Sequence, residues 1–121
     1  MDIVISPTST EPIYEQIYFQ ISSQIMQGIL EPEYCLPSIR TISKELGISV
    51  ITVKKAWDML EAQNFIYTRA GKGCYVTAHK EEHLDNKKIQ FASQRLDADL
   101  EYYRKLGISK KELISLIEEK Y

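Results

Sequence analysis

No lysine or arginine occurs among the first 37 residues, which carry five acids (Asp2, Glu11, Glu15, Glu31 and Glu33). MDIVISPTSTEP at the start has neither a basic n-region nor an apolar h-region, so a secretory signal is not expected. No apolar run approaches the roughly 18 residues that a membrane span needs, so no membrane partner is expected. The two cysteines, Cys35 and Cys74, stand far apart without a metal-ligand pattern, and a reducing cytoplasm is the simple expectation. His79 and His83 are four apart, but no carboxylate or cysteine set completes a metal site; a polar linker accounts for them. Glycine is sparse, and the GKG at 71–73 lies inside a hairpin pattern rather than after a strand, so it is no phosphate loop. There is no nucleophile elbow and no paired-acid cleft. Enzyme chemistry and a bound cofactor are therefore not expected.

What is present is an ordinary globular composition on 121 residues, room for one domain or one small domain with an appendage. The net charge of −2 argues against a generic polyanion binder but hides an asymmetry. Residues 38–73 hold six bases (Arg40, Lys44, Lys54, Lys55, Arg69, Lys72) against three acids, a net of +3. Residues 74–121 balance at nine and nine. The middle third is where a phosphate-facing surface should lie.

A first helix is expected from Glu11 to Gln27, capped by Thr10, with Pro12 in its first turn and Gly28 as its left-handed stop. Ile13, Ile17, Ile21 and Ile25 form its apolar stripe. The link ILEPEYCLP, with two prolines, reads as irregular. Ser38 caps a second helix that Gly47 ends, and Ser49 caps a third, VITVKKAWDMLEAQN. Two short helices joined by a tight glycine-bearing turn make a helix-turn-helix. Ile42, Leu46, Ile48, Val53 and Ala56 fall where inward side chains are needed, and Val53, Ala56, Trp57 and Leu60 form the buried face of the third helix. Ile51, Lys54, Lys55 and Asp58 lie opposite. FIYTR and CYVTA, separated by AGKG, read as a hairpin wing.

The polar run HKEEHLDN at 79–86 breaks the pattern. The expected division is a winged-helix domain at 1–78 and a helical tail at 79–121. In the tail a helix from Leu84 to Lys105 carries Ile89, Ala92, Leu96, Leu100 and Tyr103 on one face. Gly107 stops it, Ser109 to Glu112 form a capping box, and a last helix carries Leu113, Ile114, Leu116 and Ile117. The fold class is thus mainly α with a small β-hairpin wing, plus a two-helix tail. A tail of this length cannot enclose a core, so its stripes must pack on something. They either fold back on the winged-helix domain or pair with a second copy. Pairing, through Ile89, Ala92, Leu96, Leu100, Tyr103, Leu113 and Ile117, is the better fit, because a folded-back tail leaves a single reading head whereas a two-fold dimer presents two.

A recognition helix works by entering the major groove, with its N-terminal turn aimed at base edges and its neighbours on phosphates. Ser49, Val50, Ile51, Thr52, Lys54 and Lys55 occupy that end. Ser38 and Arg40 open the preceding helix, and Arg69, Ala70, Gly71, Lys72 and Gly73 form the wing tip. Val50 and Ile51 cannot hydrogen-bond, but an exposed Ile can press on thymine methyls. Each feature has an ordinary structural explanation: serines that only cap, lysines on a solvated face, glycines that serve a turn. Their coincidence in one segment of a roughly neutral chain points to double-stranded DNA. The rival is a winged-helix protein-interaction module, which predicts little salt dependence and no duplex binding.

PIYEQI at 12–17, Gly28 through LPSIR at 36–40, ELGIS at 45–49, TV at 52–53, LE at 60–61 and GKGCYV at 71–76 occur in an order and spacing that resembles GntR-type bacterial transcription regulators. The likeness spans about residues 11–77. It implies a winged-helix operator-binding domain, a homodimer, and DNA contacts at Arg40, at Ser49 to Thr52, at Lys54 and at Ala70 to Gly73. Most family members carry a large C-terminal effector domain. The short helical tail resembles instead the YtrA-like subfamily, whose members dimerise through it and often act as repressors; whether a small-molecule effector exists is open. Apolar Val50 and Ile51 depart from the polar residues many members have, Pro32-Glu33 replaces the frequent Pro-Gly, and Cys74 stands where Thr is common.

Overall fold

Isoleucines at four-residue spacing give one side of α1 (Ile13–Met26) a continuous apolar surface, and Ile17, Ile21 and Ile25 are buried. The computed structural model describes residues 1–121, which divide into two compact units, Met1–Glu81 and Glu82–Tyr121. In the first unit α1 is followed by α2 (Ile39–Leu46), α3 (Val50–Ala62), β1 (Ile66–Arg69) and β2 (Gly73–Val76). The α1 stripe packs on α3, whose Val53, Ala56, Trp57 and Leu60 are all buried, as their i, i+3, i+4, i+7 spacing requires. Phe65, Ile66 and Val76 from the hairpin close this core, and the Phe65 ring meets Tyr18 edge-on at 6.3 Å between centroids. Burial of each such side chain contributes about 1.5–3 kcal/mol. Ile42 is buried as expected, whereas Leu46 and Ile48 are only half-buried.

The hairpin is antiparallel, with Ile66 opposite Val76 and Tyr67 opposite Tyr75. The link before α2 is not wholly irregular. Glu33 N–H donates to the Val76 carbonyl at 2.8 Å, Val76 N–H to Tyr34 at 2.9 Å, and Leu36 N–H to Cys74 at 2.9 Å. Cys35 thus bridges Tyr75, and the wing gains a third, very short edge.

The entry to α1 also differs from expectation. Pro12, not Thr10, takes the N-cap position, and no side chain caps it. Instead three glutamines at four-residue spacing hold the preceding chain. Gln20 accepts from Val4 N–H at 2.9 Å and donates to the Val4 carbonyl at 2.7 Å. Gln16 makes the same pair with Ser6 at 2.9 and 3.2 Å, and Gln24 donates to the Asp2 carbonyl at 2.7 Å. Four residues of helix rise about 6 Å, and two residues of extended chain about 6.6 Å, so the two repeats stay in step. The ladder is incomplete at its last rung, where Gln24 Oε1 is buried without a partner. The arm then reaches α2: Met1, Asp2 and Ile3 border one hollow with Ile42, Glu45 and Leu46.

In the second unit α4 spans Glu81–Lys105 and α5 spans Lys110–Lys120. The helix begins three residues earlier than Leu84, so most of the polar 79–86 run is helical rather than a break. Lys88 pairs with Asp85 at 3.4 Å within it, the i, i+3 contact that a solvated helix face uses. Ser109 Oγ accepts from Glu112 N–H at 3.1 Å and donates to the Glu112 carboxylate at 3.0 Å, capping α5. Neither helix has a fully buried residue.

Gln20→Ala removes both bonds to Val4. We expect a loss of about 1–2 kcal/mol in urea unfolding and faster amide exchange at Val4. Unchanged exchange would mean that the ladder does not hold the arm.

Candidate nucleic-acid interface

Both helices of the helix-turn-helix start in the same way. Ser38 Oγ accepts from Thr41 N–H at 3.1 Å and lies 2.8 Å from the Thr41 hydroxyl. Ser49 repeats this with Thr52, at 3.2 and 2.7 Å. The turn between them needs a left-handed residue, which Gly47 supplies at φ 67°, and Ser43 Oγ donates to the Ile48 carbonyl across it. The angle between the helices is therefore set by buried Ile42, by this hydrogen bond and by the turn.

With Val53, Ala56, Trp57 and Leu60 turned inward, the other face of α3 is outward. Ile51 is 80% exposed and Val50 46%. Lys54 is exposed too, but its ammonium pairs with Asp58 at 2.8 Å; this hydrogen bond holds its pKa above the ordinary lysine value. Lys55 leans away from the tip, its Nζ 3.9 Å above the Tyr14 ring of α1.

The wing turn runs Arg69-Ala70-Gly71-Lys72, closed by Lys72 N–H donating to Arg69 at 3.0 Å. Gly71, at φ 72°, occupies the position that demands a positive angle. Arg69 does not project from the tip. Its guanidinium donates to Glu33 at 3.0 Å and to the Tyr67 hydroxyl at 2.8 Å, and stacks 4.4 Å from the Tyr75 ring centre. Tyr67 in turn donates to Glu33, and this hydrogen bond raises the Tyr67 pKa. Glu33 itself has φ 69°, a left-handed backbone that favours glycine. The Pro-Glu departure noted in the sequence thus places a carboxylate where it clamps the wing, and nothing in the local sequence signals that role.

Of the residues singled out from the sequence, Ser38, Arg40, Lys72 and Gly73 border one groove of about 440 Å³, together with Cys35, Cys74 and Trp57. Neither Arg40 nor Lys72 has an ion-pair partner. Ser49 to Thr52 and Lys54 lie at the outward tip of α3, whereas Lys55 and Arg69 are engaged elsewhere in the fold. His79 lies within hydrogen-bond distance, 2.7 Å, of the Asn64 carbonyl. A carbonyl only accepts, so the imidazole carries its proton on that nitrogen. No three His, Cys, Asp or Glu side chains cluster as metal ligands. In the second unit Leu96, Leu100, Tyr103, Leu113 and Ile117 line one apolar groove between α4 and α5. Ile89 and Ala92 lie exposed farther along α4 and do not border it.

A helix-turn-helix with an outward second-helix tip, together with a glycine-turned wing and a groove bordered by unpaired cations, defines the winged-helix class of DNA-binding regulators. The comparisons narrow the class. The family model for bacterial regulatory proteins, gntR family, matches residues 13–76. The HTH-type transcriptional repressor YtrA of Bacillus subtilis (strain 168) is 34% identical over 94 residues, covering 78% of this chain and 72% of that one. A transcriptional antiterminator from Listeria monocytogenes EGD-e superposes with TM-score 0.78 at 30% identity, over 98% of this chain and 89% of that one. AraR(DBD) in complex with operator ORX1 does so with TM-score 0.55 at 30% identity, over 64% and 96%. This chain belongs to the gntR family and is a DNA-binding transcription regulator.

Glu33→Gln keeps the shape of the wing clamp and removes its charge. In an absorbance pH titration, with Tyr67→Phe as the blank, the Tyr67 phenol should then ionise at lower pH, nearer the ordinary tyrosine value of 10.0. An unmoved titration would mean that Glu33 does not hold the phenol.

Proposed function

We infer that the chain acts as a homodimeric repressor on an inverted-repeat operator in the bacterial cytoplasm. Residues 1–78 serve as the reading head and residues 79–121 as the dimerisation tail. The observations that carry this are the outward α3 tip and the groove, bordered by Trp57 of the same helix, that holds unpaired Arg40 and Lys72. The tip enters the major groove, the two cations take phosphate or a base edge, and the wing turn Ala70 to Gly73 follows the backbone. Ser38 and Ser49 act chiefly by fixing the helix starts that present these side chains. The repressor name of the Bacillus relative, and the operator held by AraR(DBD), support this reading.

Dimerisation rests on the second unit. Leu96 and Ile117 remain half-exposed and line an apolar groove, with Leu100, Tyr103 and Leu113 beside them. Closing these faces against a second copy removes apolar surface from water and joins two reading heads, as an inverted repeat with two half-sites requires.

Mobility-shift titrations at several salt concentrations test the interface. We expect steep salt dependence for the unaltered chain, at least tenfold weaker operator binding for Arg40→Ala, and a smaller loss with a shallower salt slope for Lys54→Ala. Unaltered affinity in both variants would refute the assignment. Sedimentation tests the tail: Leu96→Asp or Leu100→Asp should yield monomers, and an intact dimer would remove this face from the interface.

A further inference from the structure

The α3 tip is unusual for a surface that must distinguish bases, because its polar groups are already engaged. The Ser49 and Thr52 hydroxyls bond each other at 2.7 Å, and Ser49 Oγ also takes the Thr52 N–H. Lys54 is held by Asp58 and Lys55 by the Tyr14 ring. Ile51, 80% exposed, and Val50, 46% exposed, offer only hydrocarbon to a partner. At the equivalent place on α2, two residues past its capping serine, stands Arg40, where α3 has Ile51.

We propose that this tip recognises its site through thymine 5-methyl groups, with Ile51 as the principal contact and Val50 beside it. The proposal rests on the DNA-binding reading above and adds the base that the tip selects. In the major groove thymine alone carries a methyl group, and it is the one base-edge feature that an aliphatic side chain can read. An exposed Ile pressed on a cytosine or purine edge leaves donors and acceptors facing hydrocarbon, which costs free energy. The same tip therefore attracts A·T pairs and rejects G·C pairs without making a hydrogen bond. Arg40 and Lys72 beside the groove supply phosphate or guanine contacts that the tip itself lacks.

The test uses the full chain and a duplex recovered by selection from random DNA. Each thymine in a half-site is replaced singly by deoxyuridine, which keeps every hydrogen-bonding group and removes only the methyl. One or two positions per half-site should lose about three- to fivefold in affinity, the worth of one buried carbon. Ile51→Ala, on a side chain outside the core, should bind the thymine duplex more weakly and no longer sense the uracil at those positions. A bound duplex indifferent to every uracil overturns the proposal and leaves DNA binding standing. A penalty that persists unchanged in Ile51→Ala overturns the assignment to that residue. Failure to recover any bound duplex overturns the DNA-binding reading and this proposal with it.

Discussion

The surface that the first unit presents to DNA depends on the packing of α1 against α3. The two helices pack together with Ile17, Ile21 and Ile25 buried on one and Val53, Ala56, Trp57 and Leu60 on the other, and buried Phe65 meets Tyr18 of α1. A helix has only one circumference. Once those four α3 side chains are buried at 3.6-residue periodicity, Ile51, Lys54 and Asp58 have no direction left but outward. The core thus defines the reading surface, and a cavity there would move the tip as well as lower stability.

Charge is distributed more sparingly than a count of bases suggests. Three of the six bases in residues 38–73 are held by the protein itself: Lys54 by Asp58, Lys55 by Tyr14, and Arg69 by Glu33 and the two wing tyrosines. The two ion pairs offset Lys54 and Arg69, and of the remaining bases Arg40 and Lys72 border the groove. Restraint of this kind suits selective binding more than generic attraction to phosphate, since long-range charge attracts every duplex alike.

Much of this was legible beforehand. The two S-x-x-T starts, Gly47, the buried α3 face and the hairpin all follow from local chemistry: caps, a left-handed turn, helical and strand periodicity. What escaped were features made by side chains reaching distant backbone or crossing strands. Gln16, Gln20 and Gln24 repeat every four residues beside the isoleucine stripe, a signal that only gains meaning once an extended arm lies alongside. Glu33 offers no local sign of the wing clamp, because its partners lie more than thirty residues away. Thr10 is not the cap because Glu11, which precedes Pro12, is biased away from helical backbone, so the helix starts only after Pro12. The 79–86 run is polar because it is a solvated helix start, a state that polarity alone does not separate from a linker.

The most direct test of an outward, base-facing α3 tip is a titration of the isotope-labelled chain with its selected duplex, followed by backbone amide chemical shifts. The account predicts the largest changes at residues 38–41, 49–54 and 70–73, with the α1 stripe unmoved. Changes confined to residues 82–121, with Val50 to Lys54 silent, would contradict it.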